Sequence, residues 1–261
     1  MKKRVISGIV MIAIVAPLVY MGGAFFNIAM ALAATYAYKE IINLPEFKNL
    51  PLFIKVFGSL FYLLVALSSL LNTDSSVINV AYILSLFLFY TVPTLFYEKV
   101  KYTIKDATIL FGYSVFIALG FSALISARMD SLGIFLYLLS IPVISDTLAL
   151  VTGSLIGKNK LLPKVSPKKT VEGAIGGFIC GSLVALIIYQ YLVGDINAIV
   201  LIMTALLGIF SQIGDLLFSK IKRENNIKDF SNLIPGHGGV LDRLDSLLLV
   251  SIIYLIFISI M

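Results

Sequence analysis

Charge is what this sequence has least of. Charged residues occupy 13% of its 261 positions, and aliphatic, aromatic and cysteine residues occupy 59%. A soluble globular domain carries roughly 25% charged residues, and the mean hydropathy of +1.02 points the same way. The chain therefore belongs in lipid rather than water. It has one cysteine, Cys180, which excludes an internal disulfide framework. It has no tryptophan, so any interfacial aromatic belt falls to its 13 tyrosines. It has one histidine, His237, with no second histidine or nearby cysteine to complete a zinc site. No Pro/Gly/Ser-rich linker or low-complexity tract divides it. We treat 1–130 (N-terminal helices) and 131–261 (C-terminal helices and loops) as parts of one membrane-embedded unit.

What is present in abundance is apolar runs of spanning length. A transmembrane helix needs about 20 mostly apolar residues. Nine segments qualify: 5–22, 24–42, 52–71, 76–97, 107–127, 131–157, 173–194, 196–218 and 244–261. The first, preceded by Met-Lys-Lys-Arg, looks like a signal peptide, but it lacks a small-residue cleavage site and is followed by further spans. With a cytoplasmic N-terminus, every basic residue except Arg128 falls on the inner side. That distribution is what the positive-inside rule requires. The expectation is an all-α polytopic integral membrane protein of about nine transmembrane helices, with its N-terminus cytoplasmic and its C-terminus outside. The net charge of +6 is then a matter of topology and anionic lipid, and nucleic acid is not an expected partner. The two polar inner segments, about 158–172 and 219–243, place function on the cytoplasmic face of the C-terminal half.

Three groups of residues call for a chemical reason. Asp146 and Asp215 lie within spans, where an ionised carboxylate facing lipid costs about 2.5–3.5 kcal/mol on insertion scales; each must face a cavity, a cation or a partner. Pro142, shortly before Asp146, suggests a kink beside a cavity. In "KVSPKKTVEG", Ser166 suits an N-cap and Pro167 the first helical position. Lys168 and Lys169 would then sit in the first turn, where free N–H groups and two ammoniums make a phosphate site. Gly173, Gly177 and Gly181 recur every four residues, a stripe for close helix packing. In "SKIKRENNIKDFSNLIPGHGGVLDRLDS", basic residues surround a glycine turn. Asp242 and Asp245 follow at i and i+3, on one helix face. Such carboxylates suit a hard cation such as Mg²⁺, which prefers oxygen ligands and substrate phosphates.

At these residues the sequence resembles the phosphatidate cytidylyltransferases, or CDP-diacylglycerol synthases. The resemblance rests on Ser219, Lys222-Arg223, Lys228-Asp229, Pro235-Gly236-His237-Gly238-Gly239 and Asp242-Arg243-Leu244-Asp245. A second block runs from Asp146 through "GSLIGKNKLLPKVSPKKTVEGAIGG". It implies transfer of the cytidylyl group of CTP to phosphatidate from the inner leaflet, with Mg²⁺ and room for a second cation. Asp215, Lys222, Asp242 and Asp245 are the implied catalytic residues. Asp215, Asp242 and Asp245 are the metal ligands, with Asp146 as a further candidate. Ser166, Lys168, Lys169, Ser219, Arg223, Lys228, Asp229, Gly236, His237, Gly238, Gly239 and Arg243 are the implied substrate-binding residues. The location implied is the cell membrane, with the site on its cytoplasmic side; a homodimer is the family-like assembly. Two other readings are distinguishable by experiment: a CTP-dependent kinase of polyprenol- or phytol-type lipids, and an ion-coupled secondary transporter.

Overall fold

A computed structural model describes residues 2–48, 50–70, 75–96 and 102–260, with side chains described outside 2–5 and 62–81. Nine α-helices are present among the described residues. They are α1 (Lys2–Met21), α2 (Gly23–Ile42), α3 (Leu52–Leu70), α4 (Ser75–Thr91), α5 (Ile104–Asp130), α6 (Leu132–Ile156), α7 (Val171–Leu192), α8 (Ala198–Glu224) and α9 (Leu241–Ile260). Each coincides with one of the expected apolar segments, though the expected ends at 71, 97 and 261 lie outside the described residues. Five of the nine, α5 to α9, are long and apolar enough to cross a membrane. They carry exposed Leu155, Ile175, Ile187 and Ile202, apolar surface of the kind that meets a membrane or another protein.

The helix boundaries follow from local chemistry. Gly22 and Gly23 both take positive φ, 64° and 56°, and part α1 from α2 where an L-side chain would be strained. Ser131 and Asn197 cap α6 and α8, accepting from the backbone N–H of Ile134 and Val200 at 2.9 Å each. These bonds satisfy donors that a helix start otherwise leaves open. Pro142 lies inside α6, which continues past it to Ile156.

Two polar segments depart from expectation. Ser166 does not cap a helix. Ser166–Thr170 forms strand β2, antiparallel to β1 (Lys160–Leu162). The cap of α7 is Thr170, whose hydroxyl accepts from the Gly173 N–H at 3.1 Å. Lys168 and Lys169 therefore stand on a strand, not in a helical first turn. Thr170 has the extended backbone and the side-chain oxygen that a cap needs (φ −119°, ψ 154°). In the second polar segment, α8 continues to Glu224. Ser219, Lys222 and Arg223 thus lie on a helix rather than in a loop.

Packing divides the chain into two units: residues 1–125 with 229–241, and residues 126–228 with 242–261. In the first, Tyr38 and Tyr90 are fully buried and joined hydroxyl to hydroxyl at 3.2 Å. Tyr38 donates to the Ile54 carbonyl, and Tyr90 lies 3.0 Å from Ser114. In the second, Tyr137, Leu138, Ile141, Ala185, Leu207 and Val250 form an apolar core. Tyr137 meets Thr204 at 2.7 Å within it, so its buried hydroxyl is paired. The tightest joint of this unit is α6 against α7. A methyl group built on Gly177 would stand 2.6 Å from the Ser145 carbonyl oxygen, and one on Gly173 2.7 Å from that of Ala149. The glycine stripe thus lets two helix backbones touch, as its spacing implies.

Candidate active site

The second unit holds a cavity of about 410 Å³, within the range of small-molecule sites. Three separated stretches of sequence meet in its wall. α6 contributes Asp146, β2 contributes Ser166, Lys168 and Lys169, and α8 contributes Gln212 and Asp215. The glycine stripe makes this possible: where Gly173 replaces a side chain, α6 and α7 close together and the strand reaches over them. Gln212 donates to the Ala174 carbonyl at 2.8 Å, tying α8 to the start of α7.

Lys169 is the electrostatic centre of this cavity. Its ammonium pairs with Asp215 and lies 3.8 Å from Asp146. Neither of these carboxylates in the apolar helices is therefore alone, although the Asp146 side chain keeps 45% of its exposure. One strand lysine answers both, which offsets the cost of carrying them in apolar helices. Asp245 lies close by. Gly214, the residue before Asp215, packs so tightly on α9 that a methyl there would stand 3.0 Å from the Asp245 carbonyl oxygen and from Ser246 Cα. Asp215 and Asp146 are among the charges that Asp245 feels. Its own carboxylate accepts from the Ser246 N–H at 2.8 Å.

Asp242, one turn earlier on α9, is buried and accepts from the Lys222 ammonium at 2.8 Å. Lys222 is thus held by a carboxylate rather than presented to solvent. Arg223 is exposed and works on the backbone, donating to the carbonyls of Val165 at 3.3 Å and Ile227 at 3.2 Å. It fastens the end of α8 to the turn that precedes β2. Lys228 and Arg243 are exposed, and Ser219 is half-buried.

The remaining predicted residues belong to the first unit. Asp229 is exposed there. Gly236 and Gly238 take φ of 80° and 86°, so the Pro-Gly-His-Gly-Gly turn needs glycine at both positions. The turn closes on itself through the Ile234 N–H to the Gly238 carbonyl, with His237 and Gly238 donating back to the Ile234 carbonyl. His237 Nδ1 lies 2.8 Å from the Ser7 hydroxyl, which donates to the Pro235 carbonyl. The histidine is a fastener between α1 and the turn.

Two residues of these sites, Glu172 and Gln212, are not among the candidates read from the sequence. Glu172 holds the backbone N–H groups of Lys158 and Asn159 at 3.1–3.2 Å, and so fixes the entrance to β1. Gln212 lies three residues before Asp215 in an apolar run. Its polarity there was the available clue.

A sequence model of the Cytidylyltransferase family matches residues 2–261. The chain belongs to that family. Among named members, it is 33% identical to the phosphatidate cytidylyltransferase of Staphylococcus haemolyticus over 256 residues. It is 34% identical to that of Staphylococcus saprophyticus over 258 residues and 32% identical to that of Staphylococcus aureus over 263. In each case the match covers 96% of this chain and 96% of the relative. The cytidylyltransferase match thus takes in both units and both polar segments, well beyond the C-terminal motifs.

Proposed function

We propose that the chain is a phosphatidate cytidylyltransferase, joining CTP and phosphatidate into CDP-diacylglycerol with release of pyrophosphate. The observation that carries this reading is the cavity that brings Asp146, Asp215, Ser166, Lys168 and Lys169 together from α6, α8 and β2, in a chain whose relatives bear that name from end to end. Cations, hydroxyls and carboxylates at the edge of apolar helices suit a reaction between two phosphate-bearing partners, one of them a lipid.

The chemistry asks little of the protein beyond placement. A phosphatidate phosphate oxygen attacks the α-phosphorus of CTP. One P–O bond forms, and the bond to the β-phosphate oxygen breaks. The nucleophile is already anionic, so no activated serine, cysteine or histidine is required. Lys168 and Lys169 would neutralise phosphate charge at the cavity, with Ser166 donating from the same strand. Lys228 and Arg243, exposed on either side of the glycine turn in sequence, would engage the CTP phosphates. Holding two anions in line is where most of the rate would come from.

The residues fit Mg²⁺ in a particular way. Among the described residues no three acidic, cysteine or histidine groups form a ready metal cage. The charged oxygen donors at the cavity are nonetheless carboxylates, Asp146 and Asp215, the hard ligands that Mg²⁺ takes. That ion characteristically uses one or two protein carboxylates and fills the rest of its shell with water and substrate phosphate. Asp215 and Asp245 would hold it, with Asp146 beside them. Asp242 would be a further ligand, its orientation fixed by Lys222. When bound, the ion would neutralise charge on the nucleotide phosphates.

The positive-inside distribution supports nine spans with a cytoplasmic N-terminus and a site open to the inner leaflet of the cell membrane. The test uses the purified chain in detergent with Mg²⁺, phosphatidate and CTP labelled at either the α- or the γ-phosphate. The expected result is α-label in lipid and pyrophosphate release at equal rates. Label entering lipid from the γ-position would show a lipid kinase instead, and no labelled lipid would overturn the reading.

A further inference from the structure

α2 has an apolar buried face, with Phe26, Ala31, Ala34, Ala37, Tyr38 and Ile41. One acid interrupts it. Glu40 is 2% exposed, and burying a carboxylate demands strong partners. It has them. One carboxylate oxygen accepts from the Ser231 hydroxyl at 2.7 Å and from the Val240 N–H at 2.9 Å. The other accepts from the Leu241 N–H at 2.8 Å. Leu241 is the first residue of α9, so Glu40 occupies the position where a helix start offers unsatisfied donors and favours negative charge.

Gly239 leaves the room for this arrangement. Any side chain there would collide with the Glu40 carboxylate and come within 2.7 Å of the Ser231 hydroxyl. The last glycine of the turn is thus required by space rather than by backbone angle. The turn itself carries few side chains with which to anchor. His237 fastens its middle to Ser7, and Glu40 fastens its exit. The residue after Leu241 is Asp242, and Asp245 follows one turn on.

We infer that Glu40 is a positioning residue for the cytidylyl transfer: by clamping Ser231, Val240 and Leu241 it sets where α9 begins, and so where Asp242 and Asp245 stand. The inference rests on the proposed roles of those two aspartates. It requires a carboxylate specifically. At least three donors converge on two oxygens, and a glutamine would turn an amide N–H toward one of them.

The experiment compares Glu40→Gln with the unaltered chain, purified whole in detergent. The expected result is a kcat lower by about 10–100-fold, the scale of lost supporting contacts around reactive groups. KM for CTP and phosphatidate should stay within about threefold. Amide exchange should quicken at residues 239–242 and stay unchanged in α6 and α7. An unchanged kcat, a rise in KM alone, or a loss of activity no larger than the loss of folded protein would each overturn it. Ser231→Ala removes a single donor and carries the test should Glu40→Gln fail to fold. On its own it should lower kcat while KM stays within about threefold, and no loss at all would overturn the clamp; where Glu40→Gln folds, the double variant should lose no more than Glu40→Gln alone, and additive losses would overturn it. If Glu40→Gln is silent while Asp215→Asn abolishes turnover, the clamp falls and the site stands. If Asp245→Asn retains full turnover, the site reading falls instead.

Discussion

The ammonium of Lys222 donates to the carboxylate of Asp242 across 2.8 Å, with both residues buried. Removing one member takes from the other its opposite charge in a buried setting, which costs about 3–5 kcal/mol, whereas replacing both by apolar groups is often neutral for stability. Lys222→Met should therefore lower the unfolding temperature in detergent markedly. Lys222→Met with Asp242→Leu should recover most of it while leaving turnover absent.

Lys169 answers Asp215 and stands near Asp146, so charge at the cavity is balanced to within one unit. Asp215→Asn should reduce turnover by about 10²–10³-fold, the range seen when a fixed electrostatic partner of a reacting group is lost. If Asp215 holds Mg²⁺, the residual activity should also demand a higher Mg²⁺ concentration. Rates followed over a Mg²⁺ titration check both. An unshifted Mg²⁺ dependence with lowered turnover would remove Asp215 from the metal and leave it as the partner of Lys169.

Thr170 and Ser166 separate structure from chemistry on a single strand. Thr170→Ala removes the cap of α7 and should cost about 1 kcal/mol of stability, read from thermal unfolding. Ser166→Ala should leave stability unchanged and lower activity, because its side chain faces the cavity and caps nothing. Equal stability losses from the two would contradict the strand assignment.

Gly177 has no space for a side chain beside the Ser145 carbonyl. Gly177→Val should force α6 from α7 and cost about 1–3 kcal/mol or more. Activity should fall further than stability alone explains, since Asp146 rides on α6 beside that joint. Measuring turnover per folded molecule distinguishes the two contributions.

The helices were legible in the sequence because lipid imposes a length and a polarity that few patterns satisfy by accident. The aspartates were legible for the same reason, as expensive residues need an explanation wherever they lie. The strand at Ser166–Thr170 was not. "SPKKT" carries valid signals for a helix start at Ser166 and Pro167, and Thr170 offers the same capping chemistry four residues later. Local propensity could not choose between two adequate caps; pairing with Lys160–Leu162 did. Nor could spacing show that Lys222 faces Asp242, or that Arg223 binds backbone. A cation in a basic stretch looks available until its partner, 20 residues away for Lys222 and 58 for Arg223, is in view. Glu40 escaped notice because it sits beside Lys39 at a helix end, where an acid usually needs no explanation.

The Glu40 clamp also bears on biogenesis. Its hydroxyl partner lies 191 residues further along the chain, and the two amides about ten residues beyond that. At about 5–20 residues per second of synthesis, Glu40 waits roughly 10–40 s before those donors exist. During that interval α2 carries its acid without them, in a chain that is already entering lipid. The clamp can form only after residue 241 has been made. Closure of the glycine turn therefore follows the making of α1 to α8, and a chain cut short before residue 231 would lack both the turn and the helix that follows it.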